Sequence, residues 1–427
     1  MEWVVYFNCF LSIIFFLCYS YQFFYVIVSF FKTKQSKGEI VKNHNYAVLI
    51  SARNEEMVIE QLLQSINNQS YQKEKITVFV VADNCTDNTA KVSARNNAIV
   101  FRRFNKEKVG KGYALDFLIK KIYSIYDKDY FDGFFVFDAD NVLDKNYIKE
   151  MNATFSKGYT AVTSYRNSKN FGANWISAGY GLWFLHEARH LNYSRMKLGT
   201  SCAISGTGFL ISKEAVKKHD GWKYFLLTED IEFTVDNIIS GEKIGYCDNA
   251  VFYDEQPTSF RQSWNQRMRW AKGYFQVFRN YGTKLVNGAF VKHNFSCYDM
   301  TMVIMPAILL TAVSIVVNLG ALVFNIDDIL KEVVVVKSIL STGISIYLTL
   351  FIFGLLAAIT EWKNIYCKSY KKILYIFTFP LFMLTYIPIA VAAVFQKVEW
   401  KPIKHTVSVS VSDITNEECK PTAQSRI

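Results

Sequence analysis

Two aspartates, Asp138 and Asp140, stand one residue apart at the end of the bulky apolar run "FVFDAD", residues 135–140. In a buried strand each unpaired charge costs several kcal/mol, so such a pair needs a counterion or a solvated cleft. Mg2+ and Mn2+ take carboxylate, phosphate and water oxygens together, and two acids at a strand exit can clamp either ion onto a diphosphate. The plain alternative is a pair of solvated loop acids. Further polar clusters follow along the chain. "SARNEE" (51–56) and "ADNCTDNTA" (82–90) each follow an apolar run directly, and Ser51, Asn54, Thr86 and Asp87 also suit helix N-caps. "ISGTGFLIS" (204–212) holds Ser205 and Gly206 in a glycine-bearing turn that lets backbone approach a ligand closely. "LLTEDIEF" (226–233) puts Glu229 and Asp230 at a helix start, where the dipole favours negative charge, whether they cap the helix or react. "QSWNQRMRW" (262–270) sets Arg267 and Arg269 beside Trp264 and Trp270. Guanidinium groups match phosphate oxygens and indoles stack on sugar faces; an amphipathic interfacial helix is the plainer reading.

The elements that must hold these groups alternate between strands and helices. "AVLIS" (47–51), "ITVFVVAD" (76–83), "AIVFRR" (98–103), "FFVFDAD" and "YTAVTSY" read as strands, and Val58, Leu62, Leu63 and Ile66 form a helical stripe between the first two. Strand, helix, strand predicts a parallel sheet with crossover helices, whose ligands bind beyond the carboxyl ends of the strands. The polar clusters fall at those ends.

The rest of the 427 residues is lipid-like. Hydrophobic residues make up 51% and aromatics 16%. Four uncharged stretches, Trp3–Phe31, Met300–Ile326, Ser338–Thr360 and Ile373–Phe395, are each long enough to cross a bilayer. Lys32, Lys34 and Lys37 flank the first, which reads as a signal anchor rather than a cleaved leader. The acidic "NIDDILKE" lies outside and the basic "EWKNIYCKSYKK" inside by the positive-inside rule, so the central domain is cytoplasmic and the plasma membrane the expected site. Four full crossings would put the basic "QKVEWKPIKH" (396–405) outside, against that rule, and Pro380 and Pro388 interrupt the last stretch, which reads as a crossing or as a broken, re-entrant segment. The net charge of +11 sits beside the spans, where anionic lipid accounts for it, and nucleic acid is not an expected partner. Eight scattered cysteines without a CxxC pair argue against zinc and disulfides.

Taken in order, "ADN" with Asp83, "DAD" with Asp138 and Asp140, "TED" with Asp230, and "QRMRW" with Gln266, Arg269 and Trp270 resemble the membrane-embedded branch of family 2 glycosyltransferases. That branch includes cellulose, chitin, hyaluronan and poly-N-acetylglucosamine synthases. The resemblance covers about residues 40–275 and implies an α/β fold of the GT-A type flanked by transmembrane helices. The expected divisions are an anchor (1–40), a catalytic domain (41–290), a membrane region (291–397) and a tail (398–427). It also implies a UDP-sugar donor, with Asp83 on the uridine assisted by Ala52, Glu55 and Lys111, and Mg2+ or Mn2+ on Asp140 with Asp138 nearby. Gln266, Arg267 and Arg269 would serve the diphosphate, and Trp270, with Ser205 and Gly206, the acceptor. Asp230, beside Glu229, would be the general base for a single inverting displacement that forms a β-linkage.

The sequence departs from cellulose synthases in one respect. "AKGYFQVFRNYG" runs on to the membrane without their "FxVTxK" gating loop, and "VEWKPIKH" with Trp400, Lys401 and Lys404 is a substitute of equal standing with a simple basic flank. Three readings follow: a polysaccharide synthase, with possible export subunits; a transferase that adds one sugar to a membrane lipid; and an idle sugar-nucleotide-binding component, against which the complete set of acids and arginines speaks.

Overall fold

The computed structural model describes residues 2–31, 41–324, 329–400 and 402–416. Lys32, Lys34 and Lys37, residues 325–328 of the acidic connection, Lys401 and the tail beyond 416 lie outside them.

Eight strands form one mixed sheet: β1 (Tyr46–Ala52), β2 (Ile76–Asp83), β3 (Ile99–Arg103), β4 (Gly133–Asp138), β5 (Val142–Leu143), β6 (Ala161–Ser168), β7 (Phe209–Ser212) and β8 (Ile244–Asp254). Their order is β3-β2-β1-β4-β7-β6-β8-β5. The first four neighbours are parallel, as the alternating pattern requires, and β7 then runs antiparallel between β4 and β6. The period of two is visible in the packing. Ala47 and Leu49 of β1 face one core with Phe134 and Val136, whereas Tyr46, Val48 and Ile50 face the other with Phe135 and Phe137. The stripe Leu62, Leu63 and Ile66 of helix Ile59–Asn67 closes the second core. Register sets the strand ends level: Ser51 lies opposite Asp138, and Asp83 opposite Arg103. The polar clusters therefore share one rim.

Among the described residues three helices, Trp3–Ser29, Glu332–Thr360 and Ser369–Phe395, suffice by length and composition to cross a membrane. The stretch expected as a single span from Met300 is instead a bent pair, Phe295–Ile304 and Leu309–Val323, at 42°. The break falls at Pro306, a residue type with no N–H to continue the first helix. In the last segment Pro380 sits inside a continuous helix, Ser369–Leu384, and the break comes at Thr385. Pro388 cannot donate to the Leu384 carbonyl, so the break falls where that bond is missing.

This last segment keeps contact with the catalytic domain along its length. Lys371 Nζ donates to the Gly172 carbonyl at 2.7 Å near its start, and Lys272 Nζ donates to the Ala393 carbonyl at 3.0 Å near its end. Between them, Tyr375, Ile376 and Phe379 join the domain's own apolar core. The segment thus packs on the domain from start to end, is interrupted at Thr385 and is long enough to span, and the tail that follows lies beside the sheet.

One buried network clasps the N-terminal helix to the rest. Arg195 donates from Nε and Nη2 to the two oxygens of Asp299 at 2.7 and 2.8 Å, and Tyr21 and Tyr25 each donate a hydroxyl to the same carboxylate at 2.9 Å.

Candidate active site

At the rim, the loops after β1 and β2 interlock. Asn54 and Asn84 both take positive φ, 59° and 53°, which asparagine tolerates better than most residues. Asn54 Oδ1 accepts from the Thr86 N–H at 2.8 Å, and Asp87 accepts from the N–H groups of Glu56 and Thr89 at 3.1 and 3.0 Å. Neither following helix has a side-chain N-cap. The cap reading of Ser51, Asn54, Thr86 and Asp87 gives way to a cross-tied cradle. Ala52 ends β1 within it, and Asp83 is buried there, its Oδ1 2.5 Å from Arg103 Nη1.

Lys111 joins three of the sequence-predicted positions. It begins helix Lys111–Tyr123, and its ammonium donates to Asp138 Oδ1 at 2.5 Å and to the Gly206 carbonyl at 2.7 Å. Gly206 has φ +82°, and a Cβ built there would sit 3.9 Å from Asp230 Oδ2. The diphosphate-side acid, the glycine turn and the candidate base thus surround one lysine. Ser205 points elsewhere: its hydroxyl donates to Glu187 Oε1 at 2.6 Å, and its carbonyl accepts from Arg166 at 2.9 Å.

Glu229 and Asp230 open helix Glu229–Ile239. Burial pushes both carboxyls up, and at Glu229 the charge of Asp230 adds to it, taking that group to about 7; Lys111 and Arg269 oppose the shift. A carboxylate held this way is a better proton acceptor than an exposed one.

Helix Phe260–Phe290 brings the last group. Gln266, Arg269, Trp270 and Gly273 lie on one face by i, i+3, i+4, i+7 spacing. A Cβ on Gly273 would lie 2.5 Å from the Thr228 side chain, so the glycine permits the close approach that presents this face to the acid pair. Trp270 packs edge-on against Tyr180, with ring centroids 5.7 Å apart. Arg267, about a quarter turn from Gln266, departs from the expected diphosphate role. It is fully buried, lies 4.4 Å from the Phe382 ring centroid, and donates to the Phe382 carbonyl at 3.0 Å and Thr385 Oγ1 at 2.7 Å. It secures the break in the last apolar segment.

Asp140 is buried at the same rim, accepting from the Glu255 N–H at 2.8 Å. Burial works against its charge, but His405, Lys169 and Arg166 hold its carboxyl below the usual range. Glu55 lies close enough for Asp140 and Asp138 to repel its charge, though burial is the larger cause of its raised pKa.

Sequence reasoning missed the other half of the rim. β8 went unrecognised because "CDN" at its centre looks like a turn, yet its end supplies Asp254, which is paired with Arg166, and then Glu255. His405 was missed within "VEWKPIKH". The tail crosses the rim as a strap: His405 Nδ1 lies 3.1 Å from both Glu55 oxygens, and Glu255 accepts from the N–H groups of Thr406 and Val407 at 2.9 and 2.8 Å. Trp400 lies under the Arg53 guanidinium at 5.2 Å, whereas Lys404 contributes its carbonyl, 3.3 Å from Gln262 Nε2. Burial alone would depress His405, but Asp140, Glu55 and Glu255 raise it from 6.5 to about 10. Because the folded value is the higher one, the contact contributes fully below about 6.5, declines above that, and is gone above about 10. His405→Ala is expected to loosen the strap by about 1.5–3 kcal/mol, the range for hydrogen bonds to charged groups. Limited trypsin cleavage at Lys404 should then accelerate more than fivefold; an unchanged rate would remove His405 from this role.

Among the described residues no three His, Cys, Asp or Glu side chains cluster as a metal cage. Asp138 and Asp140 offer hard oxygen donors beside two protein cations, Lys111 and His405. This suits an ion that takes its remaining ligands from diphosphate and water, as Mg2+ and Mn2+ do.

The family model for glycosyltransferase-like family 2 matches residues 44–273. Among curated proteins, probable glycosyltransferase YdaM of Bacillus subtilis is 28% identical over 262 residues, 57% of each chain. The beta-monoglucosyldiacylglycerol synthase of Synechocystis is 25% identical, over 55% of this chain and 48% of its own. The poly-beta-1,6-N-acetyl-D-glucosamine synthase of Staphylococcus aureus is 24% identical, over 65% and 66%. The matches thus span about half to two-thirds of those relatives. The mannosyltransferase PcManGT from Pyrobaculum calidifontis, solved with GDP-Man and Mn2+, superposes with a TM-score of 0.60 at 14% identity, covering 92% of this chain and 99% of that one, a likeness of fold. With more than half of the chain matched and the ordered acids gathered on one rim, the chain belongs to glycosyltransferase family 2 and carries a GT-A catalytic domain.

Proposed function

We propose that this protein is an inverting transferase that moves a hexosyl or N-acetylhexosaminyl group from a UDP-sugar to an acceptor hydroxyl at a membrane surface, forming a β-linkage. The observation that carries this reading is the grouping around Lys111, which bonds Asp138 and Gly206 while Gly206 abuts Asp230. Donor-side and acceptor-side chemistry then sit a few ångströms apart, as in-line displacement requires. Asp230 takes the acceptor proton, its basicity raised by burial. Lys111 and Arg269 supply positive charge toward the departing diphosphate. A divalent cation held by Asp138 and Asp140 supplies further charge neutralisation when bound. EDTA is expected to abolish activity, and Mg2+ or Mn2+ to restore it in the wild type but not in Asp140→Ala; activity that survives EDTA would refute the metal assignment.

The domain is read as cytoplasmic and the acceptor as the polar end of a membrane lipid. Much of the surface of helices Trp3–Ser29 and Glu332–Thr360 is exposed apolar side chain, and the last segment packs against the domain through Lys272, which supports an acceptor drawn from the surrounding lipid. A polysaccharide acceptor is the second reading, supported by the strap over the donor rim, a device suited to repeated cycles. Membranes incubated with labelled UDP-sugars decide between them: a short glycolipid supports the first, a high-mass polymer the second, and no transfer from any donor refutes both. Trp270→Ala is expected to raise the acceptor KM about tenfold, the scale of one lost aromatic contact, with the donor KM little changed. An equal rise in both would take Trp270 out of the acceptor site.

A further inference from the structure

A cavity of about 600 Å3 opens where the end of helix Glu332–Thr360 meets the sheet. Its size falls within the ordinary range for small-molecule sites. The walls come from the end of that helix and the turn after it (Ile359, Glu361, Trp362, Lys363) and from the domain (Tyr165, Arg189, Asp248). Read as a membrane span, the helix sets this cavity at the level where hydrocarbon gives way to water, the level a tryptophan such as Trp362 favours.

Three features define what fits. Arg189 lies between two carboxylates but bonds neither closely: Nη1 is 3.6 Å from Asp248 Oδ2 and Nε is 3.6 Å from Glu361 Oε1, and its guanidinium makes no hydrogen bond among the described residues. Its planar donors remain available to phosphate oxygens. Glu361 is already engaged, accepting from Tyr165 Oη at 2.5 Å and Asn364 Nδ2 at 2.7 Å, whereas Asp248, one-third exposed and ion-paired with Arg189 at 3.6 Å, accepts among the described residues from Tyr246 Oη at 3.1 Å. Asp248 is thus the less engaged of the two carboxylates and the one open to an ammonium. Finally, Ile359 at the mouth and Ile352 two turns back are both exposed on one face of the helix, an apolar track leading out of the cavity.

We propose that this cavity binds the headgroup of a zwitterionic phospholipid, a phosphoethanolamine, with phosphate on Arg189 and Lys363, ammonium on Asp248, and an acyl chain along Ile359 and Ile352. The two cations and two carboxylates of the lining match a dipolar head; a purely anionic head would face both acids. Arg189 belongs to the π-helical turn Glu187–Asn192, which also presents Glu187 to Ser205 near Asp230. An occupied cavity therefore steadies the turn behind the acid pair, and the bound lipid acts as a resident modulator and not as the glycosylated acceptor.

The test uses the full chain in phosphatidylcholine nanodiscs doped with equal phosphatidylethanolamine and phosphatidylglycerol, with retained lipid read by native mass spectrometry. Wild type is expected to retain phosphatidylethanolamine about tenfold over phosphatidylglycerol, the ratio one charge-assisted hydrogen bond provides. Asp248→Asn should abolish or invert that preference, and Arg189→Gln should reduce retention of both. Equal retention by the wild type, or an unchanged preference in Asp248→Asn, overturns the proposal. Competition by soluble glycerophosphoethanolamine at lipid concentrations would overturn the part assigned to Ile359. The inference rests on the membrane reading of Glu332–Thr360, which alkaline extraction checks separately: release from membranes refutes that reading, whereas retention without headgroup preference refutes only the site.

Discussion

Asp230→Asn is expected to lower sugar transfer by roughly 10²–10⁴-fold, the usual contribution of a positioned general base, while leaving UDP binding in place. The amide keeps the shape of the side chain but cannot accept the proton. It also removes a charge that burial disfavours, since the Asp230 carboxyl is pushed up. A carboxyl whose folded pKa is raised weakens the fold once ionised, so the variant should unfold at the same temperature as wild type or higher. The same shift sets the pH profile. Because burial raises the Asp230 carboxyl, the acid limb of kcat/KM should fall above the ordinary carboxylate value. Loss of UDP binding, or a wild-type limb near 4, would contradict the assignment.

Arg195→Met is expected to cost about 3–5 kcal/mol, because it strands a buried carboxylate. Asp299 is nearly inaccessible and would keep only the hydroxyls of Tyr21 and Tyr25. The loss should appear as a lower unfolding temperature in detergent and as easier separation of the N-terminal helix. The double variant Arg195→Met with Asp299→Leu should recover much of it, since matched apolar groups avoid the desolvation cost that a lone charge suffers. A double variant as unstable as Arg195→Met would mean that packing, not charge, holds this clasp.

The parts of the molecule legible in the sequence were those with a local signature. β1, β2 and β4 are unbroken apolar runs, and their ends gave Asp83, Asp138 and Asp140 directly. Glu229 and Asp230 followed from a helix start, and Gln266, Arg269 and Trp270 from the resemblance carried by "QRMRW". What escaped depended on partners distant in the chain. Glu55 meets His405 across 350 residues, and nothing near either announces the other. Arg267 reads as a phosphate ligand by composition, but the break that Pro388 makes in a remote helix claims it. Pro306 was overlooked because hydropathy averages over a window and does not register one missing N–H.

The strap has an implication for the order of events in a catalytic cycle. Its imidazolium lies among Glu55, Asp140 and Glu255. On the proposed assignment of that ground to a sugar nucleotide and its ion, incoming cargo displaces a cationic plug held by the chain itself, departure of the spent nucleotide lets the plug return, and capture of the fuel proceeds more slowly than free encounter.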